Sequence, residues 1–275
     1  MPLGPRAVLG LDQPEERACS VANSTSGESV VSRVARLLQC FDADHGELSA
    51  AELAERAGLS TSTTHRLASA MAEDGLLFRT GRGRFRIGLA LWEAGQRGTR
   101  FQAFSQVALP FMEAIHVTLK QNVSLSILDE STAEIVYLER LTHRGAQEDL
   151  TKVALRQPAL SVSAGLAMLA FSPEPVQERI LSMPWDASAL QSGVTEGHMR
   201  RRLAQARVDG YVHLPGVLVG SLAGLAAPVL DAHRQVLGAL AIVQTMADVN
   251  LKVQVPVLLS AARGLSGMVG NLPRD

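Results

Sequence analysis

Residues 60–66 read Ser60-Thr61-Ser62-Thr63-Thr64-His65-Arg66, five consecutive hydroxyls followed by an imidazole and a guanidinium. Short hydroxyls bond readily to phosphate oxygens and base edges, and an Arg fork can grip a guanine bidentately. A little further on, residues 76–88 carry Arg79, Arg82, Arg84 and Arg86 and no acid. Positive charge concentrated in this way beside a polar segment is suited to gripping phosphates.

The groups that covalent chemistry requires are not arranged for it. Ser161-Val162-Ser163-Ala164-Gly165 holds only the second half of a nucleophile elbow, and reads better as a helix cap. The seven His are scattered without an HxxxH or HExxH pair, and Cys19 and Cys40 have no companions at metal-ligand spacing. Gly81, Gly83 and Gly88 serve a turn and form neither a dinucleotide fingerprint nor a P-loop. The sequence therefore predicts no catalytic residues, no metal and no cofactor.

The elements that must position the polar segment are legible around it. From Ser29 a helical period places Val30, Val34, Leu37, Leu38 and Phe41 on one face. Ser49-Ala50-Ala51-Glu52 is a capping box opening a second helix, which Gly58-Leu59-Ser60 breaks. A third helix over 61–74 turns Thr63, Leu67, Ala70 and Met71 inward. It offers Thr61, Ser62, Thr64, His65, Arg66 and Ser69 outward. Residues 76–80 and 84–87 read as two strands joined by Gly81-Arg82-Gly83. This is a helix-turn-helix followed by a wing, with the third helix suited to a major groove. DNA contacts are expected from residues 60–66, Arg82 and Arg84.

Length and composition set the frame. The chain has 275 residues, 47% hydrophobic and 19% charged, enough for one small and one medium globular domain. A net charge of −1 excludes a protein coated all over by nucleic acid, so any basic patch is local. Residues 1–28 read as a flexible tail, 29–97 as the winged domain, and 98–275 as a second domain. A connecting helix over 89–96 and a long helix over 101–120 lie around the boundary. Strands are expected at 123–128, 135–141, 151–155, 222–230 and 236–245, and helices at 163–170, 175–183, 195–208 and 255–269. That pattern is α+β, an antiparallel sheet with flanking helices. The Arg200-Arg201-Arg202 run points to three sides of a helix and reads as a solvated face. With no secretory leader and no apolar run of membrane-spanning length, a cytoplasmic protein is expected.

Leu53-Ala54-Glu55-Arg56-Ala57-Gly58-Leu59, Ser62-Thr63-Thr64-His65-Arg66-Leu67, Gly75-Leu76-Leu77 and Arg84-Phe85-Arg86-Ile87-Gly88 together resemble the IclR family of bacterial transcription regulators. Arg156-Gln157-Pro158, Gly165, Leu169-Ala170, Gly210-Tyr211 and Ala226-Ala227-Pro228-Val229 extend the resemblance into the second half. It implies a GAF-like or profilin-like effector domain, a double-stranded operator as partner, and assembly into dimers or tetramers. It also places an effector site on Leu160, Ser161, Ser163, Leu166, Leu214, Val217, Ser221, Gly224, Ala241 and Val243. Where relatives carry a His and a Lys this chain has Leu160 and Leu166. Acidic positions are Leu214 and Val217, a frequent Cys is Gly224, and two frequent Ser are Ala241 and Val243. A wall of these residues is nearly all aliphatic, so the expected ligand is neutral and apolar or aromatic. The alternative is a closed cavity with no sensing role.

Overall fold

The protein is described by a computed structural model, which covers residues 27–42, 44–97, 100–143, 152–185, 195–216 and 220–270. The chain divides between Arg97 and Gly98 into two compact units. Most of the predicted tail, residue 151 and Val217 lie outside the described residues.

The first unit is built from α1 (Val30–Gln39), α2 (Ala50–Ala57), α3 (Thr61–Glu73), β1 (Leu77–Arg79), β2 (Phe85–Ile87) and α4 (Leu89–Gln96). Its small core joins Leu37, Leu53, Leu67, Met71, Leu77 and Phe85. Local chemistry sets the boundaries. The Ser29 hydroxyl accepts the Ser32 amide to start α1, and Ser49 and Glu52 close the capping box of α2 reciprocally. Gly58 ends α2 in the left-handed region at φ 61, where a side chain would be strained.

The second unit holds α5 (Arg100–Leu119), β3 (Asn122–Asp129), β4 (Glu134–Leu141), β5 (Arg156–Pro158), α6 (Ser163–Phe171), α7 (Glu174–Ser182), α8 (Glu196–Asp209), β6 (Val212–Pro215), β7 (Leu222–Leu230), β8 (Val236–Thr245) and α9 (Leu251–Val269). Its strands form one antiparallel sheet in the order β5-β4-β3-β8-β7-β6. Alternation along each strand splits the apolar residues between two faces. One face, with Val123, Leu125, Leu225, Leu240 and Ile242, packs on Phe104, Met112 and Ile115 of α5 and Leu258 and Leu265 of α9. The other, with Ile135, Tyr137, Val212, Ala226, Ala239 and Ala241, is covered by α6, whose residues 163–170 are all buried.

Three expectations about elements change. The strand expected at 151–155 is displaced to β5, because Lys152 to Leu155 turn back on themselves, with the Leu155 amide donating to the Lys152 carbonyl and Ala154 at φ 65. The short edge strand β6 went unrecognised, as its four residues are too few to show a period. Helix α9 begins at Leu251 rather than 255, so Pro256 lies inside it, past the first turn, rather than at its start.

Candidate DNA interface and effector layer

The hydroxyl-rich segment opens α3. Ser60 caps it, its Oγ accepting the Thr63 amide at 3.2 Å and lying 2.9 Å from Thr63 Oγ1. Thr61, Ser62, His65 and Arg66 are exposed, Thr63 is half-buried, and no acid stands in the first turn. The structure thus keeps six of the seven expected residues at or near the surface and corrects the seventh. Thr64 is fully buried, at 0% exposure. The inward stripe runs Thr64, Leu67, Ala68 and Met71, with Ala70 exposed, so Thr64 and Ala68 take the inward places expected of Thr63 and Ala70. With residues three and four apart on a common face, Thr64 shares its side with Leu67 and Ala68. Its hydroxyl has no hydrogen-bond partner among the described residues.

The wing pairs Leu77 with Ile87, Phe78 with Arg86 and Arg79 with Phe85. Phe85 is fully buried, and a mutual bridge to Leu48, with N–O distances of 2.7 and 2.9 Å, ties the hairpin to the loop before α2. Gly83 turns the hairpin at φ 73. At its base Gly88 lies so near the Gly75 carbonyl that a Cβ would stand 2.0 Å from it, which only glycine permits. Arg79, Arg82 and Arg86 are exposed, and the Arg86 guanidinium stacks 4.5 Å over the Phe78 ring.

Arg84 differs from its neighbours. Its Nη2 donates to the Glu47 carbonyl at 2.9 Å and lies 2.8 Å from Glu52 Oε2, with Nε 3.6 Å from Glu47 Oε1. Expected as a phosphate contact, it spans here from the wing to the capping box of α2. The Ser49 amide, the Ser49 hydroxyl and Arg84 together hold the Glu52 carboxyl down to about 2. Sequence reasoning missed this because Glu47 and Glu52 stand more than thirty positions earlier.

In the second unit, most of the expected effector residues gather under α6. Leu160, Ser161, Ser163, Leu166, Leu214 and Ala241 are buried there. The register sets Leu214 beside Gly224 and Gly224 beside Val243. A Cβ on Gly224 would meet Ser163 Oγ at 2.5 Å, so α6 sits directly on β7 at this point. Ser221 lies apart, exposed where β7 begins, its carbonyl accepting the Met246 amide. Nor does a serine cap α6: Val162 occupies that position without a side-chain bond.

The expected all-aliphatic wall is incomplete, because β3 and β4 contribute to the same face. Ser124 pairs in register with Ala241 and Arg140, and Ser126 with Ala239 and Tyr137. These polar residues were read only as strand, since a strand's period does not say which face meets which helix.

Elsewhere charge is consumed locally. Arg156 Nη1 bonds Asp129 at 2.8 Å and Glu134 at 3.2 Å, and Ser131 first and then Arg156 hold Asp129 down to about 2. Arg200 is bound by Glu178 and Glu196, which leaves the triple-Arg run no concentrated positive face. Among the described residues no three His, Cys, Asp or Glu stand together as a metal site, and no helix is long and apolar enough to cross a membrane.

A winged helix-turn-helix whose third helix opens with an exposed, acid-free first turn, joined to an antiparallel sheet layered with helices, defines a two-domain DNA-binding transcription regulator. Residues 30–81 match the IclR helix-turn-helix domain, and residues 100–266 match the bacterial transcriptional regulator IclR C-terminal domain. The chain belongs to the IclR family. An IclR homologue from Microbacterium hydrocarbonoxydans, solved with 4-hydroxybenzoate, superposes with a TM-score of 0.80 at 34% identity, over 87% of this chain and 98% of its own. The transcriptional repressor IclR of Escherichia coli K12 is 26% identical over 82% of this chain and 83% of its own length. An HTH-type regulator of Mycobacterium tuberculosis is 28% identical over 69% and 72%.

Proposed function

We propose that this chain is a cytoplasmic, non-enzymatic regulator that reads an operator through α3 and grips its backbone through the wing. Arg66, with Ser62, Thr61 and His65, supplies the base-edge contacts. Ser60 and Thr63 order the start of the helix and present hydroxyls to phosphates. Arg82, joined by Arg79 and Arg86, neutralises phosphates, while Arg84 fixes the wing in place. The observation that carries this reading is the exposed first turns of α3, which hold no acid, beside a hairpin with three exposed Arg. Because one recognition helix spans only a few base pairs, the regulator acts as a dimer or a dimer of dimers on paired half-sites. Titrating the gene's own upstream duplex, with random DNA as control, tests the reading: equal affinity for the two refutes it. Sedimentation with and without that duplex tests the assembly, which a monomer at micromolar concentration refutes.

The layer beneath α6 is the effector site, and the 4-hydroxybenzoate bound by a relative supports a small organic ligand with an apolar body. A second reading has a specific observation behind it. Ser163 fills the space above Gly224, which favours a closed layer that only assembles the protein. Thermal-shift panels of neutral aromatics and small organic acids separate the two, since a closed layer responds to neither.

A further inference from the structure

Residues paired across a hairpin share a face, so Leu77, Arg79, Phe85 and Ile87 lie on one side of the wing and Phe78 and Arg86 on the other. The first side carries the core residues Leu77 and Phe85. Phe78 stands on the second, outside that core, and is 50% exposed. A ring left half in water adds little stability by burial. The group set over it is the Arg86 guanidinium, 4.5 Å from its centre. The other arginines of the hairpin are held differently. Arg84 is occupied by Glu47 and Glu52, and Arg79 lies 5.8 Å over the Phe85 ring, close to the limit of such a contact at about 6 Å. Arg82 sits between Gly81 and Gly83 at the turn, with no ring beneath it among the described residues. Arg86 combines a position set by a ring with the absence of any ion pair or hydrogen bond among the described residues. Stacking uses the face of a guanidinium and leaves the N–H donors at its edge free.

We infer that Phe78 is a positioning residue for DNA binding: its ring holds the Arg86 guanidinium on the outer face of the wing, poised to bond a backbone phosphate. The inference rests on the wing reading above and goes beyond it by giving a share of the affinity to a side chain that binds nothing itself. An Arg that must be ordered on binding loses rotamer freedom, and one already laid on a ring has lost part of it beforehand. Arg82, flanked by glycines, has no such support. Because Phe78 carries no charge, it changes the affinity without changing the number of phosphates neutralised.

Fluorescence anisotropy of the full chain on the gene's own upstream duplex, across a salt series, tests this. Arg86→Ala should cost affinity and about one unit of salt slope. Phe78→Leu, which keeps the bulk but not the ring, should weaken binding roughly two- to tenfold at unchanged slope, while Phe78→Tyr retains the wild-type affinity. Added to Arg86→Ala, Phe78→Leu should weaken binding no further. Added to Arg82→Ala, it should weaken binding by the same factor as in the wild type. Losses that add on the Arg86→Ala background, a Phe78→Leu as tight as the wild type, a Phe78→Tyr as weak as Phe78→Leu, or a unit of slope lost with Phe78→Leu overturns the positioning role while the wing reading stands. Full affinity and slope in Arg86→Ala overturns it too, and if Arg82→Ala behaves likewise the wing reading falls with it.

Discussion

Arg84 Nη2 lies 2.8 Å from Glu52 Oε2, and the same oxygen accepts the Ser49 amide at 2.6 Å. One carboxylate oxygen therefore serves the start of α2 and the underside of the wing together. Arg84 and Arg82, two residues apart, consequently have different work. Arg82→Ala is expected to weaken specific and random DNA alike and to flatten the salt dependence by about one unit of slope for one lost phosphate contact, with unchanged melting. Arg84→Ala should lower the melting temperature of the first unit and weaken DNA binding without that drop in slope. Salt titrations of both variants, with thermal scans alongside, check this. A full unit of slope lost with Arg84 would return it to the phosphate interface.

Acid should expose the same link. The Glu52 carboxyl is held at about 2 in the folded chain against an ordinary 4.5. A carboxyl depressed by folding contributes stability that is complete above its unfolded value and fades as pH falls through its folded one. The melting difference between wild type and Glu52→Gln should therefore be constant above pH 4.5, shrink below it, and vanish near pH 2. Thermal scans from pH 2 to 7 measure it, and a difference that persists unchanged at pH 2 contradicts the assignment.

Arg66→Ala should cost about 1–3 kcal/mol on the operator and much less on random DNA, if its guanidinium reads a guanine edge. Fluorescence anisotropy on the two duplexes decides, and equal losses reduce Arg66 to a phosphate contact.

Thr64→Val tests the phase of α3. Replacing a buried, unpartnered hydroxyl with a methyl of the same shape should stabilise the first unit by about 1 kcal/mol and leave operator affinity unchanged. Were affinity to fall with stability intact, Thr64 would belong on the DNA side after all.

Gly224→Ala should lower stability by roughly 1–3 kcal/mol through overpacking, because its new Cβ meets Ser163 Oγ at 2.5 Å. Combining it with Ser163→Ala should recover part of that loss, since Ser163 Cβ would still stand 3.1 Å away. A double-mutant cycle by chemical denaturation reads the coupling, and strict additivity would mean the two residues do not touch.

What the sequence made legible was whatever depends on near neighbours. The Ser49/Glu52 capping box, the Gly58 break and the Gly83 turn all announce themselves within four residues, and each is present. Thr63 and Thr64 could not be told apart that way, because in a run of hydroxyls the period has no apolar residue to fix its phase until Leu67. The ion pairs of Arg84 were hidden for a different reason: four Arg in one hairpin look equivalent until Glu47 and Glu52 arrive from another part of the chain. The buried serines of β3 were hidden by both effects, since Ser124 acquires Arg140 and Ala241 as neighbours only when the sheet is assembled in register.

The sheet of the second unit is closed off at its margins by its shortest strands, β5 with three residues and β6 with four, and each ends in a proline, Pro158 and Pro215. Short, proline-bearing margins offer an incoming strand few amides to pair with. Those margins are poor templates for continuing the sheet into a second copy.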